Sequence, residues 1–325
     1  MRSTKTPGLV SIVMASYNHA DYLTSRMDSL ICQTYENIEI IVIDDCSNDN
    51  SLDILRKYQD HKKVRLIIRE ANGGWINVFN QGIELSKGEF ILFANCDDEC
   101  DPEMIAHLVQ SMSTNPSAGV SYCRSVLIDK ESNVIGDDYS GREVGFKKRC
   151  TQNTLLKSSE ALHFFQHSCI IPNTSAALIR KECFDAVGFI KKNYTVCADW
   201  ELYINISKRF DIAYISISLN RFRIHRASIC GSAKERIIYE EYFRLLLGTL
   251  NELDYGNVKR GKYRYRVMYL WSSHFMLPST LGLKNFRFHL EKVLKYDPYA
   301  ICYLPIAVIM RFFTLFIFLF KKKLL

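Results

Sequence analysis

Short apolar runs alternate with amphipathic stretches along the first hundred residues of the chain. The apolar runs are rich in Ile, Val, Leu and Phe and are bounded by turn-forming residues, which is typical of buried strands. They predict strands at residues 9–15, 40–43, 64–68 and 90–94. Helical spacing of apolar positions predicts helices at residues 21–32, 51–58 and 75–86. Strands that alternate with helices indicate crossover connections and a mostly parallel sheet, so the predicted fold class is α/β.

The pattern is less regular in the second half of the chain. It predicts a helix at residues 101–113, a strand at 120–129 and a short helix at 158–166. Residues 132–157 are polar and basic without clear periodicity, which predicts a loop-rich excursion. Further helices are expected at residues 235–250 and 262–276.

Two of the predicted strands end in a pair of acids, Asp44 with Asp45 and Asp97 with Asp98. Parallel strands present their carboxyl ends at one sheet edge, which is where open α/β sheets bind ligands. Clustered carboxylates repel one another, and a divalent cation relieves that repulsion while bridging to phosphate oxygens. The alternative is that each Asp is only a turn former. Two pairs at equivalent positions favour the ligand site.

Composition narrows the class of protein. The chain has 325 residues, of which 48% are hydrophobic and 24% charged, so it is neither disordered nor collagenous. Its 11 cysteines lack C-x-x-C spacing and residues 1–8 do not resemble a signal segment, which predicts reduced thiols in a cytoplasmic protein. A dinucleotide-dependent dehydrogenase is disfavoured because no G-x-G-x-x-G follows the first strand.

Positive charge is concentrated near the carboxyl terminus. Residues 231–325 contain 16 Lys and Arg against 7 Asp and Glu, whereas the whole chain has a net charge of +7. The same region contains an apolar segment at residues 300–320. Basic charge beside an apolar segment indicates an anionic membrane surface rather than nucleic acid.

Residues 300–320 are long enough to enter a bilayer but contain Arg311 and Pro305. A single span would put residues 321–323, three lysines that favour the cytoplasmic side, opposite the rest of the chain. We therefore expect a helix that lies in the membrane interface or re-enters it. The alternative is a buried helix of a soluble protein.

Residues 8–230 resemble glycosyltransferase family 2, whose members have the GT-A fold. The matching segments are VSIVMASYNHADYL at 10–23, IEIIVIDDCSNDNS at 38–51, NGGWINVFNQGIELSKGEFILFANCDDE at 72–99, CADWELYINIS at 197–207 and RFRIHRASI at 221–229. The motifs are specific when taken together, although none is specific alone.

The resemblance implies a set of donor-binding residues. Asp45, together with Asp44, would hold the nucleotide base of an activated sugar. The segment after the first strand would lie against that base, and the loop before the third helix beside the nucleotide. Asn95 would bind a ribose or sugar hydroxyl, and Arg223 would lie near the donor phosphates. The remaining donor-binding candidates are Ala15, Ser16, Tyr17, Asn72 and Gly73.

The resemblance also implies a metal site and a catalytic base. Asp97 occupies the last position of the family's Asp-x-Asp motif, whose first position is Asn95 here. Asp97 and His225 are the predicted ligands of a divalent cation, Mg²⁺ or Mn²⁺. Arg221, Arg223 and His225 alternate and so would share one strand face that suits a pyrophosphate. Asp199, at the start of a predicted helix, is the candidate general base.

These features predict an inverting glycosyltransferase that uses a nucleotide-diphosphate sugar, with UDP as the expected nucleotide. The expected acceptor is a hydroxyl of a glycan or lipid-linked molecule in bacterial surface polysaccharide synthesis, at the cytoplasmic face of the membrane. Residues 1–230 would form the GT-A domain, with a nucleotide-sugar half at 1–110 and an acceptor half at 111–230. Residues 231–325 would form a helical extension. The alternative is a non-catalytic nucleotide-sugar or glycan-binding relative, suggested by Asn95.

Overall fold

The computed structural model describes residues 5–225, 235–253, 255–275 and 283–323. The chain divides into two compact units. The first unit comprises residues 1–193 and 198–228, and the second comprises residues 194–197 and 229–325. The domains predicted at residues 1–230 and 231–325 stay predictions.

In the described residues of the first unit, the strands form one sheet. They are β1 (Thr6–Ser16), β2 (Ile38–Asp44), β3 (Val64–Ile68), β4 (Gly88–Asn95), β5 (Glu99–Cys100), β6 (Ala118–Ile128), β7 (Val134–Asp137), β8 (Thr154–Leu156), β9 (Ala177–Arg180) and β10 (Asp211–Arg223). Their order is β3-β2-β1-β4-β9-β6-β10-β5, with β7 beside β6 and β8 beside β10. Strands β1 to β4 are parallel, as predicted. Because β9 runs antiparallel between β4 and β6, the sheet as a whole is mixed.

Helices flank this sheet, which confirms the α/β class. They are α1 (Ala20–Ile31), α2 (Ser51–Arg56), α3 (Trp75–Leu85), α4 (Met104–Thr114), α5 (Val144–Arg149), α6 (Ser158–Phe165), α7 (Glu182–Val187) and α8 (Ala198–Ser207), with a 3-10 turn at Thr174–Ala176. The segment 132–157, predicted to be loop-rich, contains β7, α5 and β8. Strand β7 is stabilised by pairing with β6 and strand β8 by pairing with β10, which no local pattern reveals.

The core explains why β1 and β2 are continuously apolar. On one face of the sheet, Ile12 and Ile40 pack in a cluster with Leu23 and Met27 of α1. On the other face, Ile41 and Ile43 of β2 pack against Val78 of α3. Apolar burial of this kind contributes about 25 cal/mol per Å² removed from water. It also fixes the carboxyl ends of both strands at one sheet edge.

The second unit is helical in its described residues. Its helices are α9 (Glu235–Glu252), α10 (Asn257–Phe275), α11 (Leu283–Tyr296) and α12 (Leu304–Lys323), with a 3-10 turn at Pro298–Tyr303. Phe243, Leu246 and Trp271 are buried, and the indole N–H of Trp271 donates to Nδ1 of His289 at 3.1 Å. The helices predicted at residues 235–250 and 262–276 correspond to α9 and α10.

The apolar segment 300–320 falls in the 3-10 turn and in α12. Several large apolar side chains of α12 are more than 40% exposed, namely Ile306, Ile309, Met310, Phe312 and Phe313. Among the helices that the structure describes, none has the length and apolar character needed to cross a membrane.

Candidate active site

The loops that follow β1 and β2 are joined to each other by hydrogen bonds. The backbone N–H of Asn18 donates to the Ser47 hydroxyl at 3.1 Å, and the Asn18 side chain accepts from the backbone of Asn48 at 2.9 Å. Asn18 adopts a φ of 53°, in the left-handed region that Asn tolerates better than most residues. The two loops therefore form one rim at the carboxyl edge of the sheet, as their sequence positions predict.

Asp44 is held within this rim. Its fully buried carboxylate accepts from the backbone and the hydroxyl of Ser47, at 2.9 and 2.6 Å, and from the hydroxyl of Ser16 at 3.2 Å. Ala15 and Ser16 are the last residues of β1, and Tyr17 beyond them is 42% exposed. Through these hydrogen bonds Asp44 fixes the conformation of the rim. The exposed side chain of Tyr17 is accessible to a ligand.

Asp45 ties the rim to the loop before α3. Its carboxylate accepts from Arg69 at 2.7 Å and from the backbone N–H groups of Gly73 and Gly74 at 3.0 and 2.7 Å. Gly74 has a φ of 82°, which a residue with a Cβ adopts only with strain. Asn72, just before these glycines, is exposed. The structure thus brings Asp45 and Gly73 into direct contact, and the donor-binding roles assigned to them stay predictions.

A buried network surrounds Asp98, which lies in the turn between β4 and β5. Its carboxylate accepts from the Asn173 amide at 2.9 Å, the Ser175 hydroxyl at 2.6 Å and the backbone N–H of Arg223 at 3.0 Å. Burial, reinforced by the charge of Asp97, raises the pKa of Asp98 to about 6. Asn95 joins this network through its amide, which donates to Oδ1 of Asn173 at 3.2 Å. The predicted hydroxyl-binding role of Asn95 is untested by these contacts.

Asp97 faces two histidines. Nε2 of His225 lies 2.9 Å from Oδ2 of Asp97. Burial opposes ionisation of Asp97, but the hydrogen bond from His225 and the charges of His19 and His225 hold its pKa below the usual range. One ligand atom from each of His19, Asp97 and His225 lies within 4.8 Å of the others. A carboxylate oxygen and imidazole nitrogens are a donor set that suits a divalent metal ion.

His19 is a site residue that sequence reasoning missed. Its signal was its position, directly after the strand–turn segment that ends at Asn18 and therefore at the same sheet edge as Asp97. An isolated His beside a helix start gives no indication of its spatial partners, so the pattern alone did not single it out.

The arginines of β10 are bound by protein groups rather than forming an open cationic face. Arg223 is 1% exposed, and its guanidinium donates to the backbone oxygen of Asp97 at 2.7 Å and to Glu99 at 2.7 Å. Arg221 also donates to Glu99, at 3.0 Å. These contacts hold the segment 97–99 against β10. The sequence predicted a cationic strand face open to a pyrophosphate. In the structure Glu99 binds both guanidinium groups, and the sequence did not indicate Glu99 as their partner.

Asp199 lies at the start of α8, as predicted. The carboxylate accepts from the backbone N–H of Trp200 at 2.8 Å. Burial raises the pKa of Asp199 to about 6, against a usual value near 4. A carboxylate with this pKa is mostly ionised at pH 7 and is a stronger base than an exposed Asp, which is the property that general base catalysis requires.

Within the second unit, Glu241 binds residues 195–197, and no sequence motif indicated this residue. Its buried carboxylate accepts from the backbone N–H groups of Thr195, Val196 and Cys197, at 2.6, 2.7 and 3.0 Å. Hydrogen bonds to a charged acceptor are among the stronger ones in proteins. They order residues 195–197 within the second unit.

Comparisons with known proteins agree with this architecture. The family model for glycosyl transferase family 2 matches residues 11–188. An uncharacterized glycosyltransferase of Rickettsia prowazekii is 30% identical over 247 residues, which cover 75% of this chain and 72% of the relative.

Two solved structures show a similar fold. The TarS 1-349 fragment of S. aureus, in complex with UDP-GlcNAc, has a TM-score of 0.67 at 16% identity, covering 91% of this chain and 84% of that one. The mannosyltransferase PcManGT of Pyrobaculum calidifontis, in complex with GDP-Man and Mn²⁺, has a TM-score of 0.54 at 13% identity, covering 93% and 86%. At these identities the likeness establishes the GT-A type of fold.

Proposed function

Because the chain belongs to glycosyl transferase family 2 and is a glycosyltransferase, we propose that it inverts the anomeric centre of a UDP-linked sugar during transfer to an acceptor hydroxyl. Membership of a transferase family favours this reading over a non-catalytic binding relative.

The observation that carries the proposal is the pairing of Asp97 with His225 at 2.9 Å, with Asp199 at the start of α8 as the candidate base. The pKa of Asp97 is held below its usual range, whereas burial raises the pKa of Asp199 to about 6. Carboxylates whose environments push their pKa values apart are suited to different roles in one reaction. Asp97 stays ionised for an electrostatic role beside the phosphates, and Asp199 is poised to take a proton near neutral pH.

The donor nucleotide is proposed to lie along the rim formed by the loops after β1 and β2. Tyr17 offers an exposed ring, and Asp45 fixes the loop before α3 by accepting from the N–H groups of Gly73 and Gly74. That TarS was solved with UDP-GlcNAc and with UDP supports UDP as the nucleotide here.

A divalent cation is proposed at Asp97 and His225. These side chains supply a carboxylate oxygen and an imidazole nitrogen 2.9 Å apart, which is close to the spacing of about 3 Å between adjacent ligand atoms on one ion. An ion bound there would replace the proton that this nitrogen donates to Asp97. Such an ion would act as a Lewis acid that neutralises charge on the diphosphate leaving group. The Mn²⁺ in the PcManGT complex supports this assignment.

Asp199 is proposed to accept the proton of the acceptor hydroxyl as its oxygen attacks the anomeric carbon. The new bond forms between the acceptor oxygen and that carbon, while the bond from the carbon to the diphosphate oxygen breaks. The electron pair leaves with the diphosphate. Attack opposite the leaving group through an oxocarbenium-like state inverts the configuration.

The acceptor is proposed to be a glycan or lipid-linked molecule of surface polysaccharide synthesis, presented at the cytoplasmic face of the membrane. Support comes from the exposed apolar side chains of α12, including Phe312 and Phe313, and from the basic excess of residues 231–325. An apolar helix face combined with positive charge binds anionic membrane surfaces.

The first test measures release of nucleoside diphosphate from a panel of UDP-, GDP- and dTDP-sugars, with Mg²⁺ or Mn²⁺ and with chelator. We expect release from a UDP-sugar, dependent on the metal. Removing the base with Asp199→Asn should lower the rate by about 10²- to 10⁴-fold and leave UDP affinity unchanged.

The matched control is Asp185→Asn, which removes the same charge from a carboxylate that is 72% exposed. It should retain the wild-type rate. A wild-type rate in Asp199→Asn would overturn the proposed base. Release of only GDP or dTDP would overturn the assignment of UDP.

A further inference from the structure

His19 converges on Asp97 and His225 from a different part of the chain. It lies in the loop between β1 and α1, whereas Asp97 follows β4 and His225 follows β10. One ligand atom of each lies within 4.8 Å of the others. Three protein ligands from three segments make a more complete metal site than a carboxylate with one histidine.

The hydrogen bond of the His19 ring leaves one nitrogen available for a metal. Nδ1 lies 2.6 Å from the backbone oxygen of Tyr17, which can only accept, so the proton of the neutral ring is on Nδ1. Nε2 then carries a lone pair. Metal-binding histidines usually donate their other ring N–H to a carbonyl or carboxylate in this way, which fixes the tautomer and the ring orientation.

Aromatic packing holds both imidazole rings in place. The rings of His19 and His225 are 5.6 Å apart in an edge-to-face arrangement, and the ring of Tyr22 lies 6.2 and 5.3 Å from them. The guanidinium of Arg223 covers Tyr22, 4.7 Å from its centre. The ligand atoms are therefore brought near one another before any metal binds, which lowers the cost of ordering them.

The donor set determines which metal such a site favours. Mg²⁺ prefers oxygen ligands and keeps its waters, whereas imidazole nitrogen suits first-row transition ions. His19 adds a second imidazole nitrogen to the nitrogen of His225 and the single carboxylate of Asp97. We propose that His19 is a third protein ligand of the metal and makes the site select Mn²⁺ and later transition ions over Mg²⁺.

This inference rests on the metal site in the proposed function, and binding measurements test it without reference to activity. The metal-free full chain is titrated with Mn²⁺ while free Mn²⁺ is followed by electron paramagnetic resonance, and Mg²⁺ is then added as a competitor. His19→Gln should weaken Mn²⁺ binding by about 10- to 100-fold and reduce the preference for Mn²⁺. UDP binding in chelator should be unchanged.

Two further variants separate ligation from a merely structural role. The control is His61→Gln. His61 precedes β3 at the amino end of that strand, whereas the site lies at the carboxyl ends of the strands, so this variant should bind Mn²⁺ as the wild type does. His19→Asp restores a ligand but with oxygen, so it should bind metal more tightly than His19→Gln and shift the preference toward Mg²⁺.

The outcomes distinguish the two proposals. Mn²⁺ binding by His19→Gln with the wild-type affinity and selectivity would overturn the role of His19 alone. Failure of the wild type to bind any divalent ion, with or without UDP, would overturn the metal site of the proposed function as well. Loss of UDP affinity by His19→Gln in chelator would show that this imidazole binds the donor phosphates instead.

Discussion

At the scale of single residues, the surroundings of three aspartates give their carboxyl groups different pKa values. Asp97, beside two histidines, has a lowered pKa, whereas burial raises the pKa values of Asp98 and Asp199 to about 6. Asp98 accepts hydrogen bonds from Asn173, Ser175 and Arg223 and so supports the backbone around Asp97. Neighbouring acids in the sequence thus differ in role because their surroundings differ.

The raised pKa of Asp199 predicts the pH dependence of the reaction. A general base must be ionised, so kcat/KM should be constant well above pH 6 and fall as the pH drops through about 6. Below that value the rate should fall about tenfold per pH unit. Initial rates of UDP release between pH 5 and 8, at saturating metal, measure this profile. A rate that stays constant down to pH 5 would contradict the assignment of Asp199.

At the scale of elements, the sequence predicts those helices and strands that a local pattern of apolar residues determines. The four parallel strands and α1 to α3 lie within a few residues of their predicted positions because each is a single apolar run or an amphipathic repeat. The short strands β7 and β8 were missed because pairing with β6 and β10 stabilises them. The same limit applies to β10, which begins at Asp211, ten residues before the alternation recognised at Arg221.

In the candidate site too, some features follow from local sequence pattern and others depend on contacts between distant residues. The convergence of the loops after β1, β2 and β4 was predictable, because carboxyl ends of parallel strands share an edge. The ion pairs of Arg221 and Arg223 with Glu99, and the approach of His19 to Asp97, join residues far apart in sequence. Such contacts depend on the conformations of the loops, which cannot be predicted from the spacing of residues in the sequence.

At the scale of the whole molecule, a sheet domain of a known transferase family is joined to a basic helical unit. The exposed side chains of α12 and the charge of residues 231–325 predict binding to anionic vesicles by the full chain. Vesicles of phosphatidylglycerol and phosphatidylcholine should sediment the protein, neutral vesicles should do so weakly, and added salt should reduce binding because it screens charge.

Variants identify the surface that binds the vesicles. Replacing Phe312 and Phe313 together by Ser should weaken sedimentation, because both side chains are more than 60% exposed on α12. Val258→Ser serves as the control, since Val258 is 78% exposed on α10. If the full chain stays in solution with anionic vesicles at low salt, the membrane proposal is wrong.

The stereochemistry of the product tests the central claim most directly. The donor is the UDP-sugar that the panel identifies, with the sugar in the α-linkage. It is incubated with the enzyme and metal. Proton NMR follows the released or transferred sugar before the free anomers equilibrate. Direct displacement assisted by Asp199 predicts that the β-anomer appears first. Initial appearance of the α-anomer would show retention and contradict the account.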